Sequence, residues 1–115
     1  MKKFDEELAV LHKQLIDMGS LAEEMLTTAT QSLSNGSNNA FEAVTESEHN
    51  MDQMQLDIDQ EVVRLLTVYG PVATDLRYLL TVSKVTSGLE RIGDQAVNIC
   101  EAMQLMVDKG NSDTQ

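Results

Sequence analysis

Phe4, Leu8, Leu11, Leu15, Met18, Ala22, Met25 and Ala29 follow one another at alternating spacings of four and three. Such a heptad seam predicts a helix over Phe4–Ser34, packed at a shallow crossing angle. Ser34-Asn35-Gly36 predicts its end, because Gly36 suits the left-handed residue that follows a helix. A second helix is expected from Asn38 or Asn39, with Asn39 and Glu42 as a variant capping box. Its seam is Val44, Met51, Met54, Ile58, Val62 and Leu65, interrupted at Ser47-Glu48 where an apolar residue is due. Tyr69-Gly70-Pro71 predicts the second turn, with Pro71 in the first turn of the next helix.

The third helix is expected from Pro71 to about Lys109. Val82, Val85, Leu89, Ile92, Ala96, Ile99, Met103 and Met106 form its predicted seam, and Leu76, Leu79 and Leu80 extend it toward the start. Gly110 to Gln115 reads as a polar tail. Short connections make neighbouring helices antiparallel. The expected fold is all-α, an up-down-up antiparallel three-helix bundle forming one domain over residues 1–110, with rods of about 45–57 Å.

Composition narrows the class. Aromatic residues are 3% of the chain, there is one proline, and the apolar residues are Leu, Val, Ile, Ala and Met, which favours a bundle over a sandwich. The N-terminal lysines precede no apolar run, so no signal peptide is expected. No stretch is apolar enough to span a bilayer. Cys100 is the lone cysteine and lies in an apolar stretch, so a buried inert thiol is expected. These features predict a cytoplasmic location.

The formal charge is −11. Residues 37–70 carry seven acids and one base, whereas residues 71–109 carry five acids and four bases. Nucleic acid is therefore not an expected partner, because phosphates would meet a negative field. Cations and basic protein surfaces are compatible with it.

Glu90-Arg91-Ile92-Gly93-Asp94 carries the candidate chemistry. Helical spacing sets Glu90 and Asp94 one turn apart, where like charges repel by a few tenths of a kcal/mol. Glu48 and Asp52 repeat that spacing in the second helix. Folding back at Gly70 puts positions summing to about 140 at one height, which brings the two pairs within about a turn of each other. Folding at Gly36 brings Glu23 and Glu24 to the same height. Carboxylates gathered in a groove suit Fe, Mn, Mg or Ca, and Zn less well. The alternative is a solvated acidic face with Arg91, Lys84 and Arg64 as counter-charges. His49 adjoins the cluster but points about 100° from Glu48 around the helix. His12 reads as surface, and Met18, Met25, Met51, Met54, Met103 and Met106 as core. Gly88 and Gly93 each cost about 1 kcal/mol relative to Ala in a helix, which predicts close approach of a helix or ligand near Glu90. There is no nucleophile–base pair, glycine-rich phosphate loop or zinc spacing, so no catalysis is expected.

Leu89-Glu90-Arg91-Ile92-Gly93-Asp94, followed by Ala96-Val97-Asn98-Ile99-Cys100, closely resembles the signature of the PhoU family. Pro71-Val72-Ala73-Thr74-Asp75-Leu76-Arg77 resembles that family's second hallmark, and Met18-Gly19 and Glu48-x-x-x-Asp52 also fit. The resemblance implies a three-helix bundle and negative regulation of the phosphate regulon. It implies contacts with the ATPase of a phosphate ABC transporter and with a sensor histidine kinase, and so a peripheral place at the inner membrane. It also implies Glu48, Asp52, Glu90 and Asp94 as metal ligands, for iron in some members. A typical member has two repeats in tandem. This chain has one, resembling the first, so it is expected to be either a truncated product or a half-length protein, and in the latter case two copies are expected to pair as a homodimer. Readings outside regulation are a metal-handling bundle and an inert dimerisation scaffold.

Overall fold

The computed structural model describes residues 2–36 and 39–113. Three helices, α1 (Lys2–Asn35), α2 (Ala40–Tyr69) and α3 (Ala73–Asp113), pack pairwise in a rod of 67 × 18 × 16 Å. Among the described residues there is no strand. Phe4 of α1 lies on Tyr69 at the end of α2, ring centroids 4.7 Å apart. His12 of α1 meets Tyr78 of α3, and further along Ser32 meets Cys100, so α1 and α3 run in the same direction. The up-down-up order follows.

The turns obey their glycines. Gly36 has φ 60° and its N–H donates to Ser32 O at 2.9 Å, while Gly70 has φ 51° and donates to Leu66 O at 3.0 Å. Each thereby satisfies a carbonyl that the helix end leaves open. Two expected details differ. Asn39 is the residue before α2, but its backbone is already right-handed helical (φ −101°, ψ −2°), and its side chain makes no capping hydrogen bond. A capping box needs an extended backbone there, so it does not form. Asn38 lies outside the described residues. At the second turn, Pro71 and Val72 precede α3 instead of beginning it, because Ala73 adopts φ 52° and breaks the helical path. At its far end α3 continues to Asp113, through part of the segment expected as a tail; Thr114 and Gln115 lie outside the described residues.

The cores of α1 and α2 match their predicted seams. Phe4, Leu11, Met18, Ala22, Met25 and Ala29 are buried on α1, and Val44, Met51, Ile58, Val62 and Leu65 on α2. The seam of α3 differs. Leu79, Val82, Thr86, Gly93, Ala96 and Cys100 are buried, with Leu89 packed against them, while Val85 and Ile92 are each 39% exposed and Met106 is 66% exposed. Every second expected position has stepped on by one residue, from Val85 to Thr86, Ile92 to Gly93 and Ile99 to Cys100. Volume explains the step. Met25 and Met51 fill the layer at Gly93, leaving room for a methyl at most and none for isoleucine. Burying Thr86 leaves its hydroxyl satisfied, because Oγ1 donates to Ser83 O at 2.9 Å.

Candidate functional site

The step in the α3 seam decides where the acids lie. Glu90 is one turn from both Thr86 and Gly93, so it stands at the edge of the buried face that borders α2. Glu48 occupies the gap in the α2 seam, and both side chains are partly buried, with Asp52 and Asp94 exposed beside them. The four meet in the groove between α2 and α3, as their register predicts, with Glu48 beside Asp94 and Glu90 beside Asp52.

Electrostatics records the crowding. Burial raises the Glu48 pKa first, followed by the negative charges of Asp94 and Asp52 and a hydrogen bond to Asp94; His49 opposes this. Burial likewise leads for Glu90, followed by Asp52, Asp94 and Asp59. Asp59 joins the group although its sequence position alone did not single it out. The available signal was its place one heptad beyond Asp52, on the same edge of α2. Glu90 Oε2 is buried and has no hydrogen-bond partner.

The expected counter-charges lie elsewhere. Arg64 bridges Glu7 of α1 at 2.8 Å and Glu61 of its own helix at 2.5 Å. Among the described residues, Lys84 and Arg91 form no ion pair, and no lysine or arginine contributes to the shift of Glu48 or Glu90. Glu23 and Glu24 do not act on Glu48 or Glu90 either. They line a shallow pocket along α1 with Ser20, Thr27, Thr28 and Gln31. Their height was predicted from register, but their side chains leave α1 on another side.

Among the described residues, no three His, Cys, Asp or Glu side chains converge closely enough to form a ligand set as they stand. A cation in the α2–α3 groove would require these carboxylates to swing toward a common point. Their chemistry suits a hard ion, and the orphaned oxygen of Glu90 is a donor that nothing in the protein uses.

Other expected roles resolve individually. Cys100 is buried, with its thiol 4.0 Å from Ser32 Oγ, and burial pushes its pKa up, away from the reactive thiolate. His12 is exposed, as expected, and its Nδ1 lies 3.2 Å from the Tyr78 hydroxyl, tying α1 to α3. Met18, Met25 and Met51 are core, Met54 and Met103 are partly buried, and Met106 is exposed. At Gly93 an added Cβ would make ordinary contact with Met25 and Met51, and at Gly88 it would meet nothing within 4 Å. Among the described residues, no helix is long and apolar enough to cross a membrane.

Comparison with known proteins matches this arrangement to one family. A family model described as the PhoU domain matches residues 15–103. The phosphate-specific transport system accessory protein PhoU homolog of Clostridium acetobutylicum is 36% identical over 104 residues, covering 90% of this chain and 48% of the relative. The phosphate-specific transport system accessory protein PhoU of Escherichia coli K12 is 35% identical over 98 residues, covering 85% of this chain and 41% of the relative. The crystal structure of PhoU from Pseudomonas aeruginosa superposes with a TM-score of 0.89 at 33% identity, covering 93% of this chain and 51% of that one. This chain therefore spans about half the length of these relatives. With the three-helix architecture and the matched segment in agreement, the chain belongs to the PhoU domain family.

Proposed function

We propose that this chain is a non-enzymatic regulatory accessory of phosphate transport, acting through protein–protein contacts whose strength a bound cation modulates. The carrying observation is a partly buried carboxylate group without a basic counter-charge, in which Glu90 Oε2 has no partner. Left alone, that group disfavours its own charged form. A divalent or trivalent ion of iron, manganese, magnesium or calcium, or less suitably zinc, offsets the repulsion. Glu48, Asp52, Glu90 and Asp94 would hold it, and the ion would turn an acidic groove into a surface able to meet another macromolecule. The names of the relatives support the phosphate-transport setting. The partners that fit this role are the ATPase of a phosphate ABC transporter and a sensor histidine kinase, which would place the chain in the cytoplasm beside the membrane.

A metal-handling bundle is the second reading, and it rests on the same orphaned oxygen. Elemental analysis of chain purified without chelator, beside Glu90→Ala and Asp94→Ala, tests the ion. Capture by the transporter ATPase then tests regulation. Metal held by the native chain and lost from both variants, together with loss of ATPase capture, is the expected result. Metal binding without any ATPase capture favours metal handling. Neither metal nor capture would leave the acidic groove an inert face.

A further inference from the structure

On the side of α2 away from the acidic groove, α1 and α2 part around Gln14 and Ile58. They leave a cleft of about 180 Å³, which Asp17, Met54 and Asp57 complete. Antiparallel register explains the set, because positions on α1 and α2 that sum to about 72 share a height, as Gln14 does with Ile58 and Asp17 with Met54. Ile58 is buried and Met54 half-buried, so the floor is apolar, while Asp17 and Asp57 stand exposed at the rim. Asp57 leaves α2 about 200° round from Asp59, which keeps this cleft apart from the carboxylates shared with α3.

Gln14 is the unusual member. Its Oε1 is buried and accepts no hydrogen bond. A carbonyl oxygen so placed has lost its water without gaining a donor. The donors nearby in sequence and register are engaged elsewhere. Lys13 pairs with Asp17 on its own helix, Gln53 Nε2 donates to Asp57 at 2.9 Å, and Arg64 bridges Glu7 and Glu61. The contacts of Asp17 and Asp57 join exposed side chains one turn apart, so an incoming cation displaces them at little cost. Met54 is unbranched and only half-buried, and it can shift to open Gln14 Oε1 to a group in the cleft.

Size and charge select the occupant. The cleft falls below the range of about 300–1,000 Å³ usual for small-molecule pockets and suits one long side chain. Residues 37–70 carry seven acids and one base, so that side chain is a cation. A guanidinium fits better than an ammonium. It is planar and weakly hydrated, and its fork of N–H donors serves an amide oxygen and a carboxylate together. Its methylene stem packs on an apolar floor, whereas a compact ammonium holds its water.

We infer that the α1–α2 cleft receives an arginine side chain from another protein, its guanidinium donating to Gln14 Oε1 and Asp57 while its stem lies on Met54 and Ile58. The site uses none of Glu48, Asp52, Glu90 and Asp94, so it stands or falls separately from cation binding.

Titration of acetyl-Gly-Arg-Gly-amide into the isotope-labelled chain, read by NMR, tests this. Amide shifts at Gln14, Met54 and Asp57 are expected, with a dissociation constant on the order of 1 mM. The lysine peptide is expected to bind about threefold more weakly, and the peptide of citrulline, arginine's neutral isostere, roughly tenfold more weakly. Gln14→Leu is expected to weaken the arginine peptide roughly tenfold with helical circular dichroism retained. Asp57→Asn, at an exposed position where folding is not at stake, is expected to weaken it about threefold. Equal binding of the arginine and citrulline peptides, binding indifferent to either substitution, or shifts confined to Glu48, Asp52, Glu90 and Asp94 would each overturn the inference. Butylguanidinium binding tenfold tighter than the arginine peptide would overturn it as well, and would assign the cleft to a free small molecule.

Discussion

A Cβ built on Gly93 would stand 3.4 Å from Cε of Met25, the tip of a flexible side chain on the neighbouring helix. That is ordinary contact, with Met51 Cε at 3.7 Å on the other side. Gly93→Ala should therefore fit. Removing a glycine from a helix interior gains up to about 1 kcal/mol, so urea unfolding should show the variant more stable by about 0.5–1 kcal/mol. Gly93→Leu should instead overpack the layer and cost about 1–3 kcal/mol. If alanine stabilises the chain yet weakens partner capture, the glycine serves contact with another molecule and not the core.

Glu48 and Glu90 predict an unusual pH dependence. Burial, then neighbouring carboxylates, raise both above the ordinary carboxyl value of 4.5. The folded chain thus binds these protons more tightly than the unfolded one. Their stabilising contribution is fully present below 4.5 and is lost as pH rises through the folded values. Glu90→Gln should remove the Glu90 part of that slope, leaving the part due to Glu48, and make the chain about 0.5–1 kcal/mol more stable near neutrality, the size of a relieved like-charge contact with partial burial. Paired urea titrations at about pH 4 and 7.5 read the difference between wild type and variant. A difference that does not change with pH would contradict it.

Cation binding should appear as thermal protection. An ion present at about 100 times its dissociation constant stabilises the folded chain by roughly 2.7 kcal/mol. Calcium, manganese and ferrous ions, compared one at a time by thermal shift, should raise the unfolding midpoint of the wild type by several degrees. Asp52→Asn combined with Asp94→Asn should abolish the rise, since both side chains are exposed and their loss leaves the core intact. Equal protection of wild type and double variant would move the ion elsewhere.

Ala73 is the one described residue other than glycine with positive φ, at 52°. An L side chain in that region costs roughly 1–2 kcal/mol. Ala73→Gly should recover about 1 kcal/mol, raising the melting temperature by about 3–5 °C, whereas Ala73→Val should lower it. Calorimetry of the three proteins tests whether the turn stores strain. The position lies in Pro71–Arg77, one of the two segments that carry the family resemblance, so partner capture should be measured on the same proteins.

The helices, their glycine-governed turns and the α1 and α2 seams were legible from spacing because each depends on neighbours within a few residues. The convergence of Glu48 and Asp52 with Glu90 and Asp94 was legible too, since antiparallel register follows from where the chain turns. Asp59 was harder to single out, because it stands one heptad beyond Asp52 and reaches Glu90 only through its charge. The counter-charge reading failed for a similar reason: Arg64 turns to α1 and its own Glu61.

Local pattern thus determined which segments are helices, where they reverse and at what depth the acids lie, because helical period and turn chemistry are properties of short stretches. Rotation of α3 about its own axis belonged to the tertiary structure alone. Isoleucine and valine offered a more apolar stripe, yet the methionines of α1 and α2 had already filled that layer, and close packing selected Thr86, Gly93 and Cys100 instead. That choice set Glu90 at the edge of the acidic groove and left Val85 and Ile92 exposed on the opposite side.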